Sequence, residues 1–226
     1  MTKLILVKGD SVKVLPTIAR ESIDLVFADY PFKFVGEEIH KLTGEKGRKA
    51  YERFLKFTSS EFYRVLKEGG NLVVINNPHN LFLHAKYLEK FIFRNEVTLV
   101  RRHTFYPNKM FGFKHNNAWF LCKGNKDKWN YVKLPDVMEY RTGFYSHPEA
   151  LPYELVKLFI EVTTDRGDWV LDPFLGSGTT MKACLELGRN CIGIEINEEY
   201  VELVKRRLNW GGSLKGVEFE YMEVET

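Results

Sequence analysis

The chain has 226 residues, 44% of them hydrophobic and 28% charged. That length can bury a sizeable core in one α/β domain, and the composition excludes disorder as the main theme. The net charge of +3 is modest but unevenly spread: Lys86 to Lys133 holds eleven Lys or Arg against three acidic residues, leaving the rest of the chain net negative.

No apolar run approaches the roughly 20 residues that span a bilayer, and the strand-like LILV near the start does not resemble a signal peptide. A cytoplasmic protein with no membrane association is expected. Cys122, Cys184 and Cys191 form no CxxC pair and sit in apolar contexts, where they read as small buried hydrophobes. The six histidines show no HExxH or comparable spacing, so no metal site is expected.

In chain order, Leu4 to Val7 reads as a strand closed by Gly9-Asp10, and Val12 to Ile18 carries helical spacing. Ile23 to Ala28 is a second buried strand that stops at Asp29-Tyr30-Pro31-Phe32, because Pro31 cannot continue a central strand. A polar loop over about 33–49 follows, then a helix from Ala50 to Lys67 ending at Glu68-Gly69-Gly70. Asn71 to Ile75 reads as a strand and Leu81 to Phe91 as a helix. Val97 to Phe105 and Ala118 to Cys122 read as strands around a basic, aromatic segment. Leu151 to Val162 is an amphipathic helix, Trp169 to Leu171 a strand, and Asp172 to Thr180 a Gly-rich turn opening a helix to about Leu187. Cys191 to Ile194 is a strand with Glu195 at its end, and Asn197 can cap a last helix to about Leu208. Strands alternating with helices predict a doubly wound, mostly parallel α/β sheet with ligand sites beyond the strands' carboxyl ends. One domain over 1–226 is expected.

The Gly-rich turn is the strongest local signal. Gly176 and Gly178 let backbone approach a ligand closely, yet no Lys stands where a phosphate loop needs one, and the spacing is not GxGxxG. An adenosine joined to a small zwitterion fits better, with Glu195 one strand over to accept hydrogen bonds from ribose hydroxyls. Asp29-Tyr30-Pro31-Phe32 sets a carboxylate, backbone carbonyls and an aromatic ring at a strand end. Those parts suit methylation of an aromatic amine, whose lone pair is delocalised into its ring. Asp29 and the Tyr30 carbonyl can accept the amine hydrogens and orient that lone pair, while Phe32 stacks on a base swung out of the duplex.

The segments GDSVKVLPTIARESIDLVFADYPF, RVLKEGGNLVVIN and HPEALPYELVKLFIEVTTDRGDWVLDPFLGSGTTMKACLELGRNCIGIEINEEYVELVKRRL are similar to those of β-class DNA amino-methyltransferases of the restriction-modification type. The motif order matches that class: catalytic tetrapeptide first, target-recognition region next, cofactor loop last. The resemblance implies a Rossmann-like S-adenosylmethionine-dependent methyltransferase fold with permuted motifs. It assigns Asp29, Tyr30, Pro31 and Phe32 to catalysis. It assigns Asp10, His147, Pro152, Asp172, Phe174, Gly176, Ser177, Gly178, Thr179, Glu195 and Ile196 to S-adenosyl-L-methionine, with Asp29 bordering the same ligand. The Lys usual just before Pro152 is Leu151 here, which weakens or moves a contact to the methionine carboxylate. Tyr30 replaces a proline and leaves the backbone there less constrained, whereas Phe32 keeps the stacking ring.

Asp at the head of the tetrapeptide resembles adenine-N6 enzymes more than cytosine-N4 ones. The implied partner is double-stranded DNA, with target recognition over about 101–145. Arg101, Arg102, Asn108, Lys109 and Lys114 are the candidate DNA contacts, and Asn116 and Asn117 also carry groups able to read base edges. The loop over 33–49 is expected to be mobile and to close over the flipped base. A homodimer and a cognate restriction endonuclease are further partners implied. Three alternatives stay open: a cytosine-N4 enzyme, an RNA base amino-methyltransferase, and a non-catalytic nucleic-acid-binding protein on the same fold.

Overall fold

The computed structural model describes residues 1–31, 44–76, 80–105, 112–125, 128–130, 133–140, 151–212 and 214–225. Strand β1 (Thr2–Lys8) leads through Asp10 into the one-turn helix α1 (Ser11–Val14), whose first free amide, on Val12, is capped by the Asp10 carboxylate at 2.9 Å. Pro16 then tightens the chain into a 3₁₀ turn over Leu15–Thr17, so the single helix expected over Val12 to Ile18 is split in two.

Strand β2 (Ile23–Asp29) is buried along nearly its whole length, as a parallel strand covered on both faces must be. Helix α2 (Gly44–Val65) starts inside the segment expected to be loop. Its Ala50, Phe54, Thr58 and Phe62 repeat every four residues and are all buried, which fixes the face turned to the sheet. The helix ends at Val65 rather than at Lys67, because Leu66 already pairs with Ile23 as the first residue of β3 (Leu66–Asn76). Residues 32–43, most of the expected mobile loop, lie outside the described residues.

Helix α3 (Leu81–Tyr87) is shorter than expected, and β4 (Ile92–Phe105) and β5 (Phe113–Cys122) form a long antiparallel pair. Strand β6 (Val137–Tyr140) was not foreseen and pairs parallel to β4, with Arg101 opposite Tyr140. Helix α4 (Tyr153–Thr163), β7 (Trp169–Asp172), α5 (Thr179–Leu187), β8 (Asn190–Glu195) and α6 (Glu198–Arg207) follow the expected order. Asn197 caps α6 by accepting from the Glu199 amide at 2.8 Å. Acidic residues in the first turn of α6 and basic ones in its last complement the helix dipole. A final strand, β9 (Val217–Glu223), also unforeseen, runs parallel to β1.

The strands form one nine-stranded sheet in the order β6-β4-β5-β3-β2-β7-β8-β1-β9, parallel except where β5 lies between β3 and β4. Two apolar layers cover it. Buried residues of α4, α5 and α6 pack on the face of Leu25, Phe27 and Ile75, and those of α1 and α2 pack on the face of Val26, Val74 and Leu171. Each such fully buried side chain stabilises the fold by about 1.5–3 kcal/mol. The chain runs from β2 to β3 in one direction along the sheet and from β7 to β8 in the other. The crevice between the carboxyl ends of β2 and β7 is therefore the topological switch point, where open α/β sheets bind their ligands.

Candidate active site

Four acidic residues that the sequence singles out stand at that end of the sheet: Asp29 closes β2, Asp172 closes β7, Glu195 closes β8, and Asp10 follows β1. The turn after β7 is built around two of them. Asp172 is only 4% exposed; it accepts from the Phe174 amide at 3.0 Å and also bonds the Thr180 side chain. Burial pushes its carboxyl up to about 7, against the pull of those two donors. Asp172 is thus spent on shaping the turn.

The Glu195 carboxylate is held from both sides, with one oxygen accepting from the Gly176 amide at 2.7 Å and the other from the Asn197 amide at 2.8 Å. Gly176 (φ +54°) and Gly178 (φ +81°) take left-handed backbone, and a Cβ on Gly178 would stand 2.8 Å from the Val204 side chain. A Cβ on Gly176 would meet almost nothing, so the side of the loop next to Glu195 is open. Ile196, beside it, is 48% exposed, a large apolar side chain left uncovered at the rim.

Arg207, which the sequence reading did not single out, reaches back from the last turn of α6. Its guanidinium donates to the Ser177 carbonyl at 3.1 Å and to the Thr179 hydroxyl at 3.3 Å, bracing the turn from outside. Pro152 is the cap residue of α4, and Leu151, where the family has its usual Lys, is buried in the core. His147 lies outside the described residues.

At the end of β2, the Tyr30 ring is 1% exposed and its hydroxyl meets Thr58 Oγ1 at 3.0 Å. It packs against His84 (centroids 4.8 Å apart) and Phe174 (5.2 Å). Where the family has a proline, a buried ring anchors the position instead. Phe174 belongs to this aromatic cluster, so its ring ties the two turns together. Phe32 lies outside the described residues.

Asp29 is electrostatically coupled to two tyrosines that only the fold brings near, Tyr51 of α2 and Tyr140 of β6. Burial pushes the Tyr140 phenol up to about 12, and Arg101 opposes the rise. Arg101 donates to Asn116 Oδ1 at 3.0 Å, so this candidate DNA contact is partly engaged within the β4–β5 pair. Arg102 lies on β4 and Lys114 is exposed on β5, while Asn108 and Lys109 lie outside the described residues.

The family model for DNA methylases matches residues 23–136 and 123–206. The chain belongs to the DNA methylase family. A DNA adenine methyltransferase of Escherichia coli K12 is 25% identical over 245 residues, covering 90% of this chain and 82% of its own. Two solved structures share the fold. A protein of Thermus thermophilus assigned as a DNA modification methylase, solved with S-adenosyl-L-methionine, has a TM-score of 0.76 at 20% identity and covers 100% of both chains. The PvuII cytosine-N4-specific DNA methyltransferase has a TM-score of 0.78 at 19% identity, over 96% of this methylase and 94% of its own chain.

Proposed function

We propose that the chain moves a methyl group from S-adenosyl-L-methionine to the exocyclic amine of an extrahelical base in double-stranded DNA, and that the base is adenine. The observation that carries the reading is the placement of Asp29 at the carboxyl end of β2, next to β7, whose following turn forms the Glu195 and Gly176 cradle. The cradle suits an adenosyl ligand: an oriented carboxylate for ribose hydroxyls, open space over a glycine, and the exposed Ile196 for an apolar ring face. When bound, the cofactor supplies an electrophilic methyl on a sulfonium.

The chain's own residues prepare the amine. The Asp29 carboxylate and the Tyr30 carbonyl accept its two hydrogens and draw its lone pair out of conjugation, localising it on nitrogen; Asp29 or solvent then takes the proton released once the N–C bond has formed. Two points favour adenine over cytosine, namely Asp at the head of the tetrapeptide and the adenine-specific relative from Escherichia coli. Lys114 and Arg102 on the β4–β5 pair supply phosphate contacts in this reading, with target recognition over about 101–145 in a single domain. A homodimer and a cognate endonuclease would complete a restriction-modification system.

The test is transfer of label from tritiated S-adenosyl-L-methionine to unmethylated genomic DNA and to total RNA, followed by digestion and nucleoside analysis. N6-methyladenine in DNA is expected. Label found only as N4-methylcytosine would overturn the choice of base, and label found only in RNA would overturn the choice of substrate.

A further inference from the structure

Native proteins bond nearly all their buried polar groups, so an unbonded one calls for an explanation, and several gathered in one place call for a ligand. Among the described residues, buried side-chain atoms without a partner belong to Asn76, His84, Arg101 and Asn117. All four residues lie around the rim that carries Asp29. Elsewhere, buried polar side chains are satisfied within the chain: Asn71 bonds two carbonyls, Arg189 bonds Thr164 and Leu187, and Lys123 bonds Glu21 and Leu66.

The sheet register sharpens the placement. Asp29 of β2 lies beside Ile75 of β3, which lies beside Ala118 of β5. One residue further along the rim, Asn76 stands directly opposite Asn117. Alternation puts both amides on the sheet face of Val74 and Trp119, the face of Tyr30. Asn76 is 0% exposed with neither amide atom bonded, and the facing Asn117 has a buried, unbonded oxygen, so the pair does not satisfy itself across the strands. His84, also 0% exposed, gives its Nε2 to the Tyr51 hydroxyl at 3.1 Å, leaves its Nδ1 unbonded, and packs against Tyr30.

We propose that Asn76 and Asn117 are specificity-determining residues that bind the ring edge of the extrahelical target base, with Asn117 selecting a two-ring base over a one-ring base. With the amine hydrogens taken up by Asp29 and Tyr30, an amide N–H donates to a ring nitrogen of the base, and it mismatches the ring N–H that guanine and thymine carry beside their keto groups. Neighbouring strands lie about 4.8 Å apart. With the amine held at the end of β2, Asn76 is one strand away and Asn117 two, a span that a purine fills and a pyrimidine does not. Asn76 is covered in this conformation, so the base must displace its cover on entering, and engagement is thereby tied to flipping.

The inference rests on the adenine reading above, and its test separates the two. Asn76→Leu and Asn117→Leu keep size and remove polarity. Each variant is assayed for methyl transfer to unmethylated genomic DNA, for cofactor affinity by calorimetry, for Tm, and for the ratio of N6-methyladenine to N4-methylcytosine formed. Asn76→Leu is expected to lower kcat at least tenfold, and Asn117→Leu to raise the minor product at least fivefold. Both should bind cofactor within twofold of the wild type and melt no lower, because neither loses a bonded group. Wild-type rates and product ratios in both variants would overturn the inference alone. A wild-type protein that makes N4-methylcytosine would overturn the adenine reading and the role of Asn117 with it.

Discussion

The two halves of the switch point are built differently. On the β7 and β8 side, the Asp172 and Glu195 carboxylates and the Ser177 and Thr179 hydroxyls are met by groups of the chain itself, and Arg207 braces the turn. On the β3, β5 and β4 side, both amide atoms of Asn76, Oδ1 of Asn117 and Nε of Arg101 are buried without a partner. The first half is a preformed cradle, and the second is completed only by what enters it. The same contrast suits a reaction in which a small cofactor binds a rigid turn and a base arrives from outside.

The largest way to break the contrast is through the turn. Gly178→Val combines left-handed strain in a β-branched residue with a collision against Val204, and should cost about 3–4 kcal/mol of stability in a denaturant titration. Next in size is a pH effect. The folded pKa of Asp172 is raised from 3.8 to about 7, so protonated Asp172 is accommodated below pH 4 and its ionisation destabilises the fold as pH rises through 7. Relative to wild type, Asp172→Asn should therefore gain stability between pH 4 and pH 8, by on the order of 2–4 kcal/mol. Urea unfolding of both proteins at the two values measures it.

Gly176→Val differs from its neighbour because its Cβ meets open space. It should lose about 1–2 kcal/mol to left-handed strain alone, less than Gly178→Val, and weaken cofactor binding about a hundredfold in calorimetry, since the added side chain fills the ligand's side of the loop. The smallest effect sharpens the other half. Lys114→Ala, on an exposed position of β5, should weaken DNA binding only a few-fold and lower the slope of log affinity against log salt by about 1.

The cradle half was nearly all legible in the sequence, because its signals are local. A Gly-rich turn, a carboxylate at the next strand's end and an Asn cap sit within a few residues of the groups they serve. The rim half was not. Tyr140 approaches Arg101 and Asp29 only because β6, a four-residue strand, pairs with β4 across a long stretch of chain. The basic run was also partly misleading as a nucleic-acid footprint: Lys123 is buried against Leu66 and Glu21, and Lys128 pairs with Asp165 and Asp168, so both serve the fold. Strand β9 did carry a period-two signal, Val217-Glu218-Phe219-Glu220-Tyr221. Its alternate positions are charged, and Lys3 pairs with two of them.

The most direct test of the division between cradle and rim is Asp29→Ala, assayed for cofactor affinity and for methyl transfer in a single turnover. Cofactor binding within threefold of the wild type, together with transfer reduced at least a thousandfold, is the predicted result. Transfer at the wild-type rate, or loss of cofactor binding in step with loss of transfer, would contradict it.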